Sequence, residues 1–123
     1  MFYDLFVRRS RTTAKPRKIV FTALEKQQLF GRHFRETTLD YVDFSAADLH
    51  EACFENVSLC GCDFSGADLT GAIFLGCDLR WARFDGAILR GNSFQRSWLS
   101  GAEGITRGLF EYLRACGGHF VYC

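Results

Sequence analysis

The side chains best equipped for chemistry are Asp43, Asp48, Asp63 and Asp68, six cysteines and three histidines. Asp43 and Asp63 stand twenty residues apart, as do Asp48 and Asp68. Two carboxylates brought face to face would hold a divalent cation or divide the work of a general acid and base. Nothing else completes such a site. Cys60-Gly61-Cys62 is too tight for a zinc or redox pair and has no second pair beside it. His33, His50 and His119 fall into no ligand or triad spacing with cysteine or aspartate, and no phosphate-cradling glycine loop is present. These residues describe a non-enzyme, with no catalytic residue, no metal ligand, no cofactor and no small-molecule substrate.

What must position these residues is a beat of five. Phe34, Leu39, Phe44, Leu49, Phe54, Leu59, Phe64, Leu69, Phe74, Leu79, Phe84, Leu89, Phe94 and Leu99 alternate without a miss. A strand repeats every two residues and a helix every 3.6, so a period of five needs a backbone that turns a corner once per repeat. Two residues before each centre the side chain is small and apolar, as at Val42, Ala47, Ala52, Val57, Cys62, Ala67, Ala72, Cys77, Ala82 and Ala87. Two residues after it glycine recurs, as at Gly61, Gly66, Gly71 and Gly76, where a tight turn would penalise a Cβ. One large and one small inward side chain per repeat fill a narrow tube, and four repeats close a coil of twenty residues. Centres twenty residues apart then stack at about 4.8 Å, the interstrand spacing. The core-stacking residues are thus Phe44, Leu49, Phe54, Leu59, Phe64, Leu69, Phe74, Leu79, Phe84 and Leu89. Cys62 and Cys77 take the small inward site. Cys53 and Cys60 face outward as free thiols. With no apolar run fit for a secretory signal, they point to a reducing cytoplasm.

Ala67-Asp68-Leu69-Thr70-Gly71, Ala47-Asp48-Leu49 and Cys77-Asp78-Leu79-Arg80 resemble the A-(D/N)-L-x-x unit of the pentapeptide-repeat family. The likeness covers about residues 32–103. It implies an all-β fold: a right-handed quadrilateral parallel β-helix of about 3.5 coils, roughly 17 Å long, with a short C-terminal α-helical cap. It also implies that the Asp before each centre bonds backbone in its own turn, which argues against a catalytic or metal-binding carboxylate pair.

Four segments follow. Residues 1–18 form a basic flexible arm carrying Arg8, Arg9, Arg11, Lys15, Arg17 and Lys18. Residues 19–36 form an N-terminal cap and incomplete first coil. Arg32 occupies a small inward site where an unpaired cation could not be buried, so the regular tube is expected from Thr37. Within this segment Thr22-Ala23-Leu24-Glu25 has capping-box spacing and opens a helix to about Phe30, with Ile19-Val20-Phe21 as an alternative strand. Residues 37–103 form the β-helix, although Asn92 and Ser97 break its small apolar column near the end. Residues 104–123 form a C-terminal helix and tail, with Ile105, Leu109, Tyr112, Leu113 and Cys116 at helical spacing before Gly117-Gly118. Leu109, Phe110, Tyr112, Leu113 and Phe120 serve there as a cap or as a homodimer contact.

Charge is segregated along the chain: residues 1–35 carry +7, residues 36–78 carry −9 and residues 79–123 carry +3, for a net charge of +1. Such a chain has a long-range field. The leading expectation is an interaction or scaffold module that binds a protein partner through its convex charged surface and termini. Trp81, Trp98, Arg80 and Arg96 make one contact patch, because interfaces are rich in Trp, Tyr and Arg. Asp43, Asp48, Asp63 and Asp68 make an acidic one. The resemblance supplies an alternative, since some members of that family mimic duplex DNA and bind DNA gyrase. A further alternative is a nucleic acid or an acidic partner held by the basic arm. No apolar run approaches a membrane span.

Overall fold

Stacked phenylalanines set the architecture. The computed structural model of the protein describes residues 19–120. Its elements are α1 (Ala23–Lys26), β1 (His33–Arg35), β2 (Cys53–Glu55), β3 (Ile73–Leu75) and α2 (Arg107–Ala115). The strands form one parallel sheet in the order β1-β2-β3, with Phe34, Phe54 and Phe74 in register. Single bridges carry the same twenty-residue register onto other walls, through Thr38–Ser58–Asp78, Asp43–Asp63–Arg83 and Asp48–Asp68–Ile88.

Phe34, Phe54, Phe74 and Phe94 stack with ring centroids 4.8, 4.9 and 4.9 Å apart. The opposite column, Phe44, Phe64 and Phe84, stacks at 5.2 and 5.5 Å. The columns meet edge-on across the tube, Phe44 with Phe54 at 6.1 Å and Phe64 with Phe74 at 5.9 Å. Offset stacking along the tube and T-shaped contacts across it are the two arrangements the ring quadrupole favours. Leu39, Leu49, Leu59, Leu69, Leu79 and Leu99 fill the remaining walls and are buried. Leu89 departs from the expectation and is only half-buried. It is the last rung of its column, where α2 stands in place of another coil.

The paired ladder reaches further toward the N-terminus than the expected start at residue 37. Phe34 is buried in β1, and so is Leu29, which falls on the same beat one step earlier. Arg32 is half-buried as a residue, and its Nη1 is buried. The capping box at Thr22 has both of its bonds, but α1 ends at Lys26, short of Phe30. The chain turns there to deliver Leu29 to the core. Residues 19–21 form no strand; Phe21 instead lies on Phe44, centroids 5.6 Å apart.

Each wall ends in a left-handed corner two residues after its centre. Seven of these corners carry side chains, among them Tyr41 (φ 62°), Glu51 (φ 59°), Trp81 (φ 62°) and Arg96 (φ 57°). Glycine at the corner directly above makes room for such a side chain. A Cβ on Gly61 would lie 2.5 Å from the Tyr41 ring, and one on Gly101 would lie 2.5 Å from Trp81 Cδ1.

Asn92 and Ser97, which interrupt the apolar column, are structural. Ser97 is fully buried. Its Oγ accepts from Cys77 N and donates to Phe74 O, both at 3.0 Å. One coil earlier the Cys77 thiol donates in the same way to Phe54 O at 3.2 Å. Asn92 Nδ2 donates to Leu69 O at 2.7 Å and Ala72 O at 2.8 Å, and its backbone N–H donates to Tyr112 Oη of α2 at 3.0 Å. Buried backbone groups must be paired, and here polar side chains pair them from inside the tube. The chain after α2 then takes up the last rung, with Leu99 N bonding His119 O at 2.8 Å and His119 N bonding Ser97 O at 2.9 Å.

Ser97→Ala orphans one donor and one acceptor and is expected to cost about 1–3 kcal/mol in urea unfolding. Gly101→Ala is expected to cost about 1–2 kcal/mol from the left-handed corner alone. The clash with Trp81 adds to that cost, so adding Trp81→Gly to the Gly101→Ala chain should recover the added part.

Candidate interaction surface

The aspartates sit as the resemblance implies. Asp43 accepts from Ser45 N at 2.8 Å, Asp63 from Ser65 N at 2.9 Å and Asp68 from Thr70 N at 3.0 Å. Each carboxylate caps the turn that follows its own centre, a local side-chain-to-backbone bond typical of aspartate. Bridging places Asp43 beside Asp63 and Asp48 beside Asp68 on adjacent coils. Cations reach the acidic stretch locally. Lys26 of α1 lies 3.2 Å from Asp43, and Arg80 grips Asp78 through two bonds of 2.8 and 2.7 Å. Asp43 is held below the usual carboxylate range, first by the Ser45 hydroxyl and then by its N–H, with Lys26 adding to both. Asp78 is held down chiefly by Arg80.

Sequence reasoning missed His50. Its Nδ1 lies 2.5 Å from Asp48 Oδ1, and donor atoms of Asp48, His50 and Asp68 all fall within 4.8 Å of one another. The signal was present: once coils repeat every twenty residues, a histidine two positions after Asp48 also overlies the turn of Asp68. His33 pairs with Glu55 across β1 and β2 at 3.4 Å, and His119 lies against Trp98 with centroids 5.2 Å apart.

Tyr41, Trp81 and Trp98 are exposed by 67, 56 and 45%, and all three belong to the Leu39–Leu99 wall. Arg80 lies over the Trp81 ring at 5.3 Å while it holds Asp78, so the indole and guanidinium are presented together. Trp98 bridges to His119 in the ladder and is covered in part by it. Arg96 is exposed at its own corner. At the C-terminal end a groove of about 400 Å³ is lined by Leu99, Ala102, Ile105, Phe110 and Phe120. Leu113 is buried, whereas Leu109, Phe110, Tyr112 and Phe120 are half-buried. The basic arm at 1–18 lies outside the described residues.

Among the described residues the cysteines are free. Burial pushes the Cys62 thiol up to about 12 and the Cys77 thiol to about 11, as suits core residues that donate hydrogen bonds. Cys53 and Cys60 are also raised, mainly by burial, so none of these four is a poised nucleophile. No helix among the described residues is long and apolar enough to cross a membrane.

These features define a stacked-coil solenoid whose outward chemistry lies on convex walls. Eight copies of the pentapeptide-repeat model match the chain, over residues 33–66 and 48–86. The repeat region belongs to the pentapeptide-repeat family. No curated protein matches the chain. Among solved structures, a pentapeptide repeat protein of the Arabidopsis thaliana thylakoid lumen is 38% identical with a TM-score of 0.59, the match covering 60% of this chain and 51% of that one. HetL of the cyanobacterium Nostoc sp. strain PCC 7120, a pentapeptide repeat protein involved in heterocyst differentiation regulation, is 30% identical with a TM-score of 0.53, covering 62% of this chain and 42% of that one. The chain therefore spans about half the length of these structures.

The carboxylate bonds carry a pH dependence. Asp43 and Asp78 have folded-state pKa values below the ordinary 3.8, so the stability they supply is present above that value. It is lost as pH falls through their folded-state values. Urea unfolding followed from neutral pH to roughly pH 2 should show a steep acid limb that is shallower in Asp78→Asn. An unchanged acid limb would count against Asp78 as a contributor.

Proposed function

We propose that this protein is a non-enzymatic binding module that holds a protein partner against its aromatic wall. The observation that carries the reading is the corner column Tyr41–Gly61–Trp81–Gly101. Bulky residues at positive φ are conformational outliers, and strained backbone clusters at functional sites. Here two such corners carry an exposed Tyr and an exposed Trp, while the corners between and above them carry glycine. Arg80, braced by Asp78, adds a directed cation beside Trp81. An exposed Trp–Arg pair is the composition that dominates interface energetics.

The rod in this reading is a right-handed quadrilateral coil of about three and a half turns, capped by α2. The half-buried Phe110 and Phe120 form a self-association end. The cytoplasm is the proposed compartment, in keeping with the free thiols. DNA mimicry of the kind that engages gyrase is less well supported. A mimic needs uncompensated negative charge along the rod, and here Lys26, His50 and Arg80 each engage an aspartate of the acidic stretch.

Trp81→Gly separates binding from folding. Glycine suits the left-handed corner, so thermal stability should hold or rise while capture of the partner from source lysate falls roughly tenfold or more, as for an interface hot spot. Equal recovery of the same partner by wild type and Trp81→Gly would overturn the reading.

A further inference from the structure

We propose that Asp48, His50 and Asp68 form a binding site for one divalent transition-metal ion of the zinc type. The three residues are brought together by the coil repeat. Asp48 and His50 flank Leu49 on one rung, and Asp68 sits directly beside Asp48 on the next through a parallel bridge. Their donor atoms lie within 4.8 Å of one another. Ligand atoms around a four-coordinate zinc lie about 3.3 Å apart at ordinary bond lengths, so side-chain rotation would open the 2.5 Å contact between His50 and Asp48 and draw Asp68 inward.

The surroundings hold the donors in place. The His50 ring lies flat on Phe30, centroids 5.2 Å apart and planes 3° from parallel. The turn hydrogen bonds all fall on Oδ1: Thr70 N and Oγ1 at 3.0 and 2.7 Å on Asp68, His50 N at 3.3 Å on Asp48. Each carboxylate thus keeps Oδ2 for an ion. Asp68 caps its own turn through Oδ1 and, one rung from the Asp48–His50 pair, adds a second carboxylate beside the imidazole. His50 and Asp48 side chains are 42 and 29% exposed, so the site is open on its outer side.

The donor set selects the ion. One imidazole nitrogen with two carboxylate oxygens suits zinc, cobalt or nickel, whereas calcium and magnesium take oxygen ligands in larger number. His50 would bind as the neutral imidazole, with the proton it shares with Asp48 passing to solvent. Three protein ligands leave the fourth position to water or to a group on a bound partner.

The test titrates Zn²⁺ alone into the full chain by calorimetry, with Co²⁺ as a paramagnetic probe in amide spectra. One ion per chain is expected, with affinity falling roughly tenfold or more in both His50→Gln and Asp68→Asn. Co²⁺ broadening should centre on Phe30, Leu49 and Thr70, and excess Ca²⁺ or Mg²⁺ should not displace it. Both substitutions lie on the outside of the tube, and unchanged amide positions elsewhere will show that the coils are intact. Absence of saturable binding, affinity retained in either variant, or broadening centred on Cys53, Cys60 or the His33–Glu55 pair would each overturn the proposal.

Discussion

Parallel backbone bonding at a twenty-residue register is the constraint on which everything else in this protein depends. It sets the rung spacing, and the rung spacing makes the rings stack at 4.8 to 5.5 Å. It also requires the chain to leave every wall through a left-handed corner. Residue choice is then dictated place by place: a large apolar centre, a small inward neighbour, a turn-bonding aspartate and a corner that glycine fits best. The same register makes neighbours of residues that are far apart in sequence, so each outward column is a surface assembled one side chain per coil.

Where the chain departs from those preferences, two kinds of reason separate. Cys77, Asn92 and Ser97 are polar in an apolar column because backbone groups inside the tube need partners, and their side chains supply them. Tyr41, Trp81 and Arg96 are strained corners with no such internal debt to settle; their side chains point to solvent. The first group serves folding; within the second, Tyr41 and Trp81 are the corners on which the proposed recognition rests. A rod that presents its chemistry on convex walls meets macromolecules by area and charge, which is why the functional reading rests on Trp81 and Arg80 and gives no weight to a pocket.

Much of this was legible in the residues. The five-residue beat with its small companions gave the columns and the buried cysteines, because packing in a narrow tube leaves few alternatives; the turn role of the aspartates came from the family resemblance. The ends were less legible. Leu29 continues the beat, yet Arg32 beside it disguised the continuation, and α1 stopped at Lys26 because the core claimed Leu29. Leu89 looked like any other centre, but its burial depends on whether a coil or a helix covers it, and no local pattern states which.

The amino-acid sequence by itself determined the repeat, the alternation of Phe and Leu walls and the sites where glycine must stand, since each follows from local sterics and a fixed period. Only the tertiary structure decided which outward residues meet. His50 joins Asp48 and Asp68, Arg80 leans on Trp81, Trp98 pairs with His119 and Tyr112 reaches Asn92, because those contacts depend on how side chains and terminal segments settle on an already formed rod.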